Sequence, residues 1–300
     1  MSDTLAGIRR KIVSSTDLQA VVRTMKAMAA MNIGQYEQSV KALANYYRTV
    51  ELGLGACFRS RGEAAPPEEE EEKAPREVGA ALAVVFGSDQ GLVGQFNDAV
   101  ADYAIRKLSD MPRHAAVWAV GERVHARLAD GGIQPAGLFS VPLSIRAIAP
   151  LIGQILVSCV TRENAAEAIE LHLFYNRPTS WAVYAPVSQR LLPLDEDWYR
   201  SLAAVPWPTC YLAEVVGAPP LTLRALIREY LFVSLFRACA ESLASENASR
   251  LAAMERADKN IDDILDGLQG ELHGLRQSGI DEELFDVIAG FEALAEQRRR

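Results

Sequence analysis

The longest pattern in the sequence is a run of apolar residues at helical spacing along its last quarter. Leu223, Leu226, Ile227, Tyr230 and Leu231 open it, Ile261, Ile264, Leu265, Leu268, Leu272 and Leu275 continue it, and Ile280, Leu284, Val287, Ile288 and Phe291 close it. This i, i+3, i+4, i+7 recurrence, with no proline after Pro220, predicts one helix from Leu221 to about Arg298. At 1.5 Å rise per residue it would be about 115 Å long. A single domain is seldom much wider than about 40 Å, so the helix must leave any globular body. Its apolar stripe then calls for a partner helix.

The first fifty residues supply one. Asp3 or Thr4 reads as an N-cap, and Ile8, Ile12, Leu18, Val21, Val22, Met25, Met28, Ile33, Tyr36, Val40, Leu43, Tyr47, Val50 and Leu54 follow at helical spacing. The helix runs from Thr4 to about Phe58, and the first proline is Pro66. Ala and Met between the larger residues let two helices approach closely. The plain reading is a helical hairpin; the sharper one is an antiparallel coiled coil made from both ends of the chain.

Between the helices the pattern changes. Residues 61–77, with Pro66, Pro67 and five glutamates from Glu68 to Glu72, read as a flexible linker. Ala80–Phe86 and Ala115–Val120 are continuous apolar runs of the kind buried on both faces of a sheet. Asn97–Leu108, Glu122–Ala129 and Ser144–Thr161 read as helices, the last started or interrupted near Pro150. Ala168–Tyr175 and Trp181–Leu192 read as strands joined by a turn at Asn176-Arg177-Pro178. Strands alternating with helices predict a mostly parallel sheet with helices on its faces. The domain plan is 1–60 N-terminal helix, 61–77 acidic linker, 78–216 α/β domain and 217–300 C-terminal helix.

Composition adds limits. The 300 residues are 49% hydrophobic, enough to bury a core, and carry a net charge of −8, which argues against bulk nucleic-acid binding. Residues 1–60 hold eight Lys/Arg against four Asp/Glu, a basic helix in an acidic protein. That is either a solvated face or a shaft facing an acidic partner. Cys57, Cys159, Cys210 and Cys239 are scattered, with no CxxC, and read as reduced thiols. Met1–Asp17 lacks a signal-peptide core, and the most apolar window, Ala147–Val160, is shorter than the ~20 residues of a membrane span. The expectation is a soluble or peripheral protein.

Little in the chain promises chemistry of its own. Gly87-Ser88-Asp89-Gln90-Gly91-Leu92-Val93-Gly94 sits between a strand and a helix, where a phosphate cradle would lie. It lacks the Gly-Lys-Ser/Thr of a P-loop and is not GxGxxG. The alternative is a tight turn with Asp89 or Ser88 capping the following helix. His114, His125, His172 and His273 show neither nucleophile nor metal spacing. Trp181, Trp198 and Trp207 read as core or lid aromatics of the α/β domain. No catalytic residue, cofactor or metal is expected.

Four motifs nonetheless point to a family. These are Ile8-Arg9-Arg10-Lys11-Ile12, Thr24-Met25-Lys26-Ala27-Met28-Ala29-Ala30, Ser88-Asp89-Gln90-Gly91-Leu92-Val93-Gly94 with Phe96-Asn97, and Glu241-Ser242-Leu243-Ala244-Ser245-Glu246-Asn247-Ala248-Ser249-Arg250-Leu251-Ala252-Ala253-Met254. In order and content the chain resembles the gamma subunit of F-type rotary ATP synthases over essentially its whole length. The last motif carries most of the likeness. The resemblance implies a long antiparallel coiled coil of N- and C-terminal helices with an inserted Rossmann-like α/β domain. It implies a central shaft inside a hexameric ring of alpha and beta subunits, beside an epsilon subunit and the membrane rotor ring, at the cytoplasmic face of a bacterial plasma membrane. Proton or sodium flow would turn the shaft and drive ATP synthesis or hydrolysis at beta sites. It assigns Met25 and Lys26, with Arg276, Gln277 and Glu283, to a shaft–beta contact, and Val287, Ile288, Phe291 and Leu294 to a tip in a hydrophobic bearing.

The chain departs from the family at several places. Val93 replaces a Cys, Met31-Asn32 a Ser-Lys, and Asp281-Glu282 a Thr-Gln, while the linker glutamates and Arg298-Arg299-Arg300 are atypical. These fit a divergent bacterial branch. The competing expectation is a standalone coiled-coil scaffold or tether with an α/β head, which has no reason to contain the motif at Glu241–Met254.

Overall fold

Thr4 starts the first helix: the Gly7 amide donates to its Oγ1 (3.3 Å) and to its carbonyl (2.7 Å), as an N-cap does. The computed structural model describes residues 4–62, 78–111, 115–160, 168–179, 183–194, 196–211, 213–214 and 219–297. Its elements are α1 (Leu5–Gly62), β1 (Val78–Phe86), α2 (Phe96–Ser109), β2 (Ala116–Val120), α3 (Glu122–Asp130), β3 (Gly137–Phe139), α4 (Ile145–Val160), β4 (Ala168–Arg177), β5 (Ala185–Leu192), α5 (Glu196–Ala204) and α6 (Pro219–Gln297). The linker glutamates Glu68–Glu72 lie outside the described residues. Two compact units form: Met1–Met28 with Leu251–Arg300, and Ala29–Arg250.

In the first unit α1 and α6 run antiparallel, as the pairs Gln19–Asp262 and Lys26–Glu255 show. Val22, Met254 and Ile261 are buried between them, with Met25, Ala253, Ala257 and Leu265 packed around. On α1 the buried positions of this unit are Ile8, Gln19 and Val22, which fall on one face at 3.6 residues per turn.

The seam differs in part from the one expected. Leu18, Val21 and Met28 are exposed, and Gln19 is buried instead, its amide reaching Asp258 and Asp262. On α6, Ile264, Leu275, Ile280, Leu284, Val287 and Ile288 are exposed rather than paired. Past about residue 275 the cause is length, whereas Ile264 lies within the paired stretch, at the rim of the face that buries Ile261. Antiparallel pairing sets α1 residues near 19–26 against α6 residues near 255–262, so α1, beginning at Leu5, runs out. From residue 273 to 290 every residue of α6 is exposed.

The second unit is built on a five-stranded sheet of order β3-β2-β1-β4-β5, parallel except for antiparallel β5. Strand residues alternate between faces. Leu82, Val84, Phe86, Trp118, Val120, Leu171, Leu173 and Tyr175 face α4 and the middle of α6. Ala83, Val85, Val117, Ala119 and Phe174 face α2 and α3, where Ala101 and Ala104 allow close packing. The α4 helix passes through Pro150 without stopping.

The sequence reading missed β3, only three residues long, and α5. Trp198, expected as a core or lid aromatic of the α/β domain, lies on α5 in a separate cluster with Val50 and Leu54 of α1 and Tyr230 of α6. Gly55 makes this approach workable: a Cβ there would sit 2.5 Å from the Leu202 carbonyl oxygen. Arg59 then caps the end of α5 through the carbonyls of Ala203 and Val205 (3.0 and 2.9 Å). Trp181 lies outside the described residues.

Candidate functional site

In an open α/β sheet, ligands bind beyond the carboxyl ends of the strands where the strand order reverses. Here that point lies between β1 and β4, and the chain fills it with its own helix. Between Val233 and Ser249, α6 is buried on nearly every side. Its small polar residues reach the strand ends. Ser245 Oγ lies 3.0 Å from the Asn176 carbonyl oxygen at the end of β4, and Ser249 Oγ donates to the Val93 carbonyl in the loop after β1. Glu241 accepts from Arg177 Nε (3.0 Å) across the gap and from Arg237 Nε (2.7 Å) on its own helix. Burial beside Glu241 pushes Tyr175 up to about 12, so it stays a phenol.

The glycine loop is tied into the same junction. Asn97 accepts from the Ser88 amide (2.9 Å) and donates to Ser88 Oγ (2.8 Å), while Asn176 donates to the Phe96 carbonyl (2.9 Å). A continuous hydrogen-bond path thus runs from Ser88 through Asn97, Phe96 and Asn176 to Ser245. Gly87 and Gly121 are required by close approach. A Cβ on Gly87 would meet Val124 at 2.3 Å, and one on Gly121, at φ +117°, would meet the Ser88 backbone at 2.8 Å.

Neither Ser88 nor Asp89 caps the following helix, contrary to the sequence expectation; α2 begins after Gln95 without a side-chain cap. Asp89 instead accepts from the Glu122 amide (3.0 Å) at the start of α3 and from the Val141 amide (2.9 Å) beyond β3. A carboxylate at a helix N-terminus is favourable. With both oxygens so engaged, the loop is a structural knot.

Glu246 is the junction's strained member. Its Oε1 accepts from Arg250 Nη2 (2.6 Å), while Oε2 and Arg250 Nε have no hydrogen-bond partner among the described residues. Burial raises the Glu246 carboxyl above its ordinary range; Arg250 opposes the rise and Asp89 adds to it. The folded chain therefore holds this proton more tightly than the unfolded chain does. Stability from the group is complete below the ordinary carboxylate pKa and is lost as pH rises through the raised value. Between about pH 5 and about pH 8, the melting temperature of the wild-type chain should fall more than that of Glu246→Gln. Equal falls would remove Glu246 as the source. Burial likewise raises the Cys239 thiol, which Glu246 reinforces.

Of the residues assigned by resemblance, Met25 is half-buried on the Val22–Met254–Ile261 seam. Lys26 Nζ lies 4.0 Å from Glu255 and 3.8 Å from Asp258, and Arg23 Nε lies 3.1 Å from Asp258. Part of the basic face of α1 therefore answers acids of the same chain. Arg276, Gln277 and Glu283 are exposed on α6. The structure does not bring them to Met25 and Lys26: Asp258 and Arg276 are 18 positions apart on one helix, about 27 Å at 1.5 Å per residue. Val287 and Ile288 are exposed at 65% and 46%; the side chains of Phe291 and Leu294 lie outside the described residues. Asn176, Ser245 and Ser249 were missed as functional positions. Their signal was a helix stretch with small polar residues on every face, which implies burial all round.

A long helical pair and an α/β domain that packs a helix into the crevice at its own strand ends define a helical-hairpin protein with an inserted sheet domain. Comparison with known proteins specifies it. The ATP synthase family model matches residues 4–294. The ATP synthase gamma chain of Moorella thermoacetica is 27% identical over 291 residues, covering 96% of this chain and 98% of its own. That of Desulforapulum autotrophicum is 28% identical over 307 residues, covering 97% and 99%. The chain belongs to the ATP synthase family, on its gamma-chain branch. Among solved structures, a chain of the Euglena gracilis mitochondrial ATP synthase assembly of OSCP, F1 and c-ring shares the fold with TM-score 0.60 and 16% identity, covering 99% of this chain and 96% of that one. A chain from the central stalk and c-ring of the Tetrahymena thermophila enzyme gives 0.55 and 19%, covering 79% and 99%. No described helix is long and apolar enough to cross a membrane.

Proposed function

We propose that this chain is the central rotor shaft of an F-type ATP synthase. It turns inside a hexameric ring of alpha and beta subunits and couples proton or sodium flow through a membrane rotor ring to ATP synthesis or hydrolysis at beta sites. In this reading the chain has no catalytic site of its own. Residues 1–60 and 217–300 form the shaft, and residues 78–216 form a foot beside an epsilon subunit and the rotor ring, at the cytoplasmic face of a bacterial plasma membrane. The observation that carries the reading is the filled crevice: where an α/β enzyme would hold substrate, this domain holds α6 through Ser245, Ser249 and Glu241. A domain fixed to a helix in this way suits transmission of torque. Exposed ion pairs contribute only about 0–1 kcal/mol each, which suits outer contacts that break at every step.

The experiment is co-expression with the host's alpha and beta subunits. An ATPase complex containing one copy of this chain against several of each partner is the expected result; a well-folded chain that never associates would reject the reading. Within that complex, Met25→Lys should impair coupling of ATP turnover to ion pumping more than it impairs assembly. Met25→Leu, which keeps the volume packed on the seam, should not. Unchanged coupling in Met25→Lys would remove Met25 from the shaft–beta contact.

A further inference from the structure

The sheet domain holds α6 through Ser245, Ser249 and Glu241, but a shaft of two helices needs both of them fixed. From Leu5 to Val50 the buried residues of α1 come singly, at Ile8, Gln19, Val22, Ala29, Tyr36 and Val50, as on a helix covered on one side. Near its end the pattern changes. Leu54, Gly55, Ala56 and Cys57 are buried in succession, an arc of about 300° at about 100° per residue. Two helices cause this. Gly53 and Gly55 lie about 200° apart around α1. A Cβ on Gly53 would meet Leu226 of α6 at 3.3 Å, and one on Gly55 would meet the Leu202 carbonyl oxygen of α5 at 2.5 Å. Here α1 is held between α6 and α5.

The α5 helix is in turn anchored to the sheet. Only Pro193, Leu194 and Asp195 separate it from the edge strand β5, and Leu194 packs in the cluster of Val50, Leu54, Leu202 and Tyr230. A helix of 9 residues does not persist alone in water, so α5 owes its order to this packing. Phe58 stands edge-on to Trp198 and Tyr199, at 6.0 and 4.6 Å between ring centroids, and Trp198 meets Tyr230 of α6 at 4.9 Å. Tyr36 and Val40 also reach the core of the sheet domain by apolar contact. Apolar contact resists separation but has no direction; alone it lets a helix slide or turn about its own axis. Directional bonds prevent that, and α1 has them at this end. Arg59 Nη1 donates to the carbonyls of Ala203 and Val205, at 3.0 and 2.9 Å. We propose that α5 is a strap through which the sheet domain holds α1, so that torque enters both shaft helices, with Gly55 and Arg59 as its positioning residues. This rests on the rotor reading and adds a second point of attachment to the grip on α6.

The test places variants in the host's complete enzyme in inverted membrane vesicles. It reads assembly, ATP turnover and ions pumped per ATP, with the melting temperature of each purified chain alongside. Gly55→Ala drives a Cβ into the Leu202 carbonyl and pushes α5 away, leaving the face of α1 toward α6 unchanged. Arg59→Ala removes the directional bonds without adding bulk. Both should assemble and hydrolyse ATP, and both should pump at least about twofold fewer ions per ATP. Arg59→Lys, whose ammonium can still donate to both carbonyls, should recover most of the pumping. Gly34→Ala, on α1 with open space around it, should match wild type. A helix that only adds stability would lower the melting temperature and leave pumping per ATP unchanged. That result in Arg59→Ala overturns the strap, whether or not Gly55→Ala assembles. Failure of Arg59→Ala to assemble also overturns it, since a strap positions a shaft that forms without it. An enzyme that pumps normally with this chain deleted overturns the rotor reading and the strap with it.

Discussion

Gly121→Ala should lower stability by about 4 kcal/mol, through positive-φ strain and forced overpacking. At φ +117° an alanine is strained before any contact is considered, and its Cβ would sit 2.8 Å from the N, C and O atoms of Ser88. Backbone cannot rotate away as a side chain can. Ser88 is also where the Asn97–Asn176–Ser245 path begins, so a shift there moves the grip on α6. Gly132→Ala separates the two causes. It has φ +88° but open space around it, so it should lose only the strain, about 1–2 kcal/mol. At about 2–4 °C per kcal/mol for a domain of this size, Gly121→Ala should melt roughly 10 °C below wild type and clearly below Gly132→Ala. Equal melting temperatures would mean that the approach to Ser88 relaxes freely.

Glu241→Ala should cost about 2 kcal/mol and should uncouple the machine. Its carboxylate is almost fully buried and joins α6 to Arg177 at the end of β4. Breaking a closed buried pair costs about 3–5 kcal/mol. Arg177 and Arg237 are 43% and 47% exposed, so water can recover them and the loss is smaller. In the assembled complex, ATP turnover should persist while ATP-driven ion pumping falls, because the helix is no longer held firmly by the sheet. Glu241→Gln, which keeps the shape and an acceptor, should retain more of both. If Glu241→Ala pumps like wild type, the junction is not what transmits torque.

The two long helices and the parallel strands were legible because each has a period: 3.5 to 3.6 for α1 and α6, an unbroken apolar run for β1 and β2. Failures fell where period gives no signal. The strand β3 has three residues, too few for any pattern. Asp89 bonds an amide 33 positions later, which nothing local reveals. On α1, Gln19 entered the seam while Leu18 and Val21 stayed out, because Asp258 and Asp262 gave its amide partners. The stripe beyond Leu275 looked identical to a seam, since an apolar face does not record whether its partner belongs to the same chain. The junction was half visible: its motifs were found, but not that Ser249 meets the glycine loop.

Single-molecule rotation tests the rotor assignment most directly. Cys210 is exposed while Cys57, Cys159 and Cys239 are buried, so a thiol-reactive biotin places a bead on Cys210 of the intact chain. With the alpha and beta ring fixed to a surface, adding ATP should turn the bead continuously in one direction. A bead that stays still while the same complex hydrolyses ATP would contradict the rotor assignment.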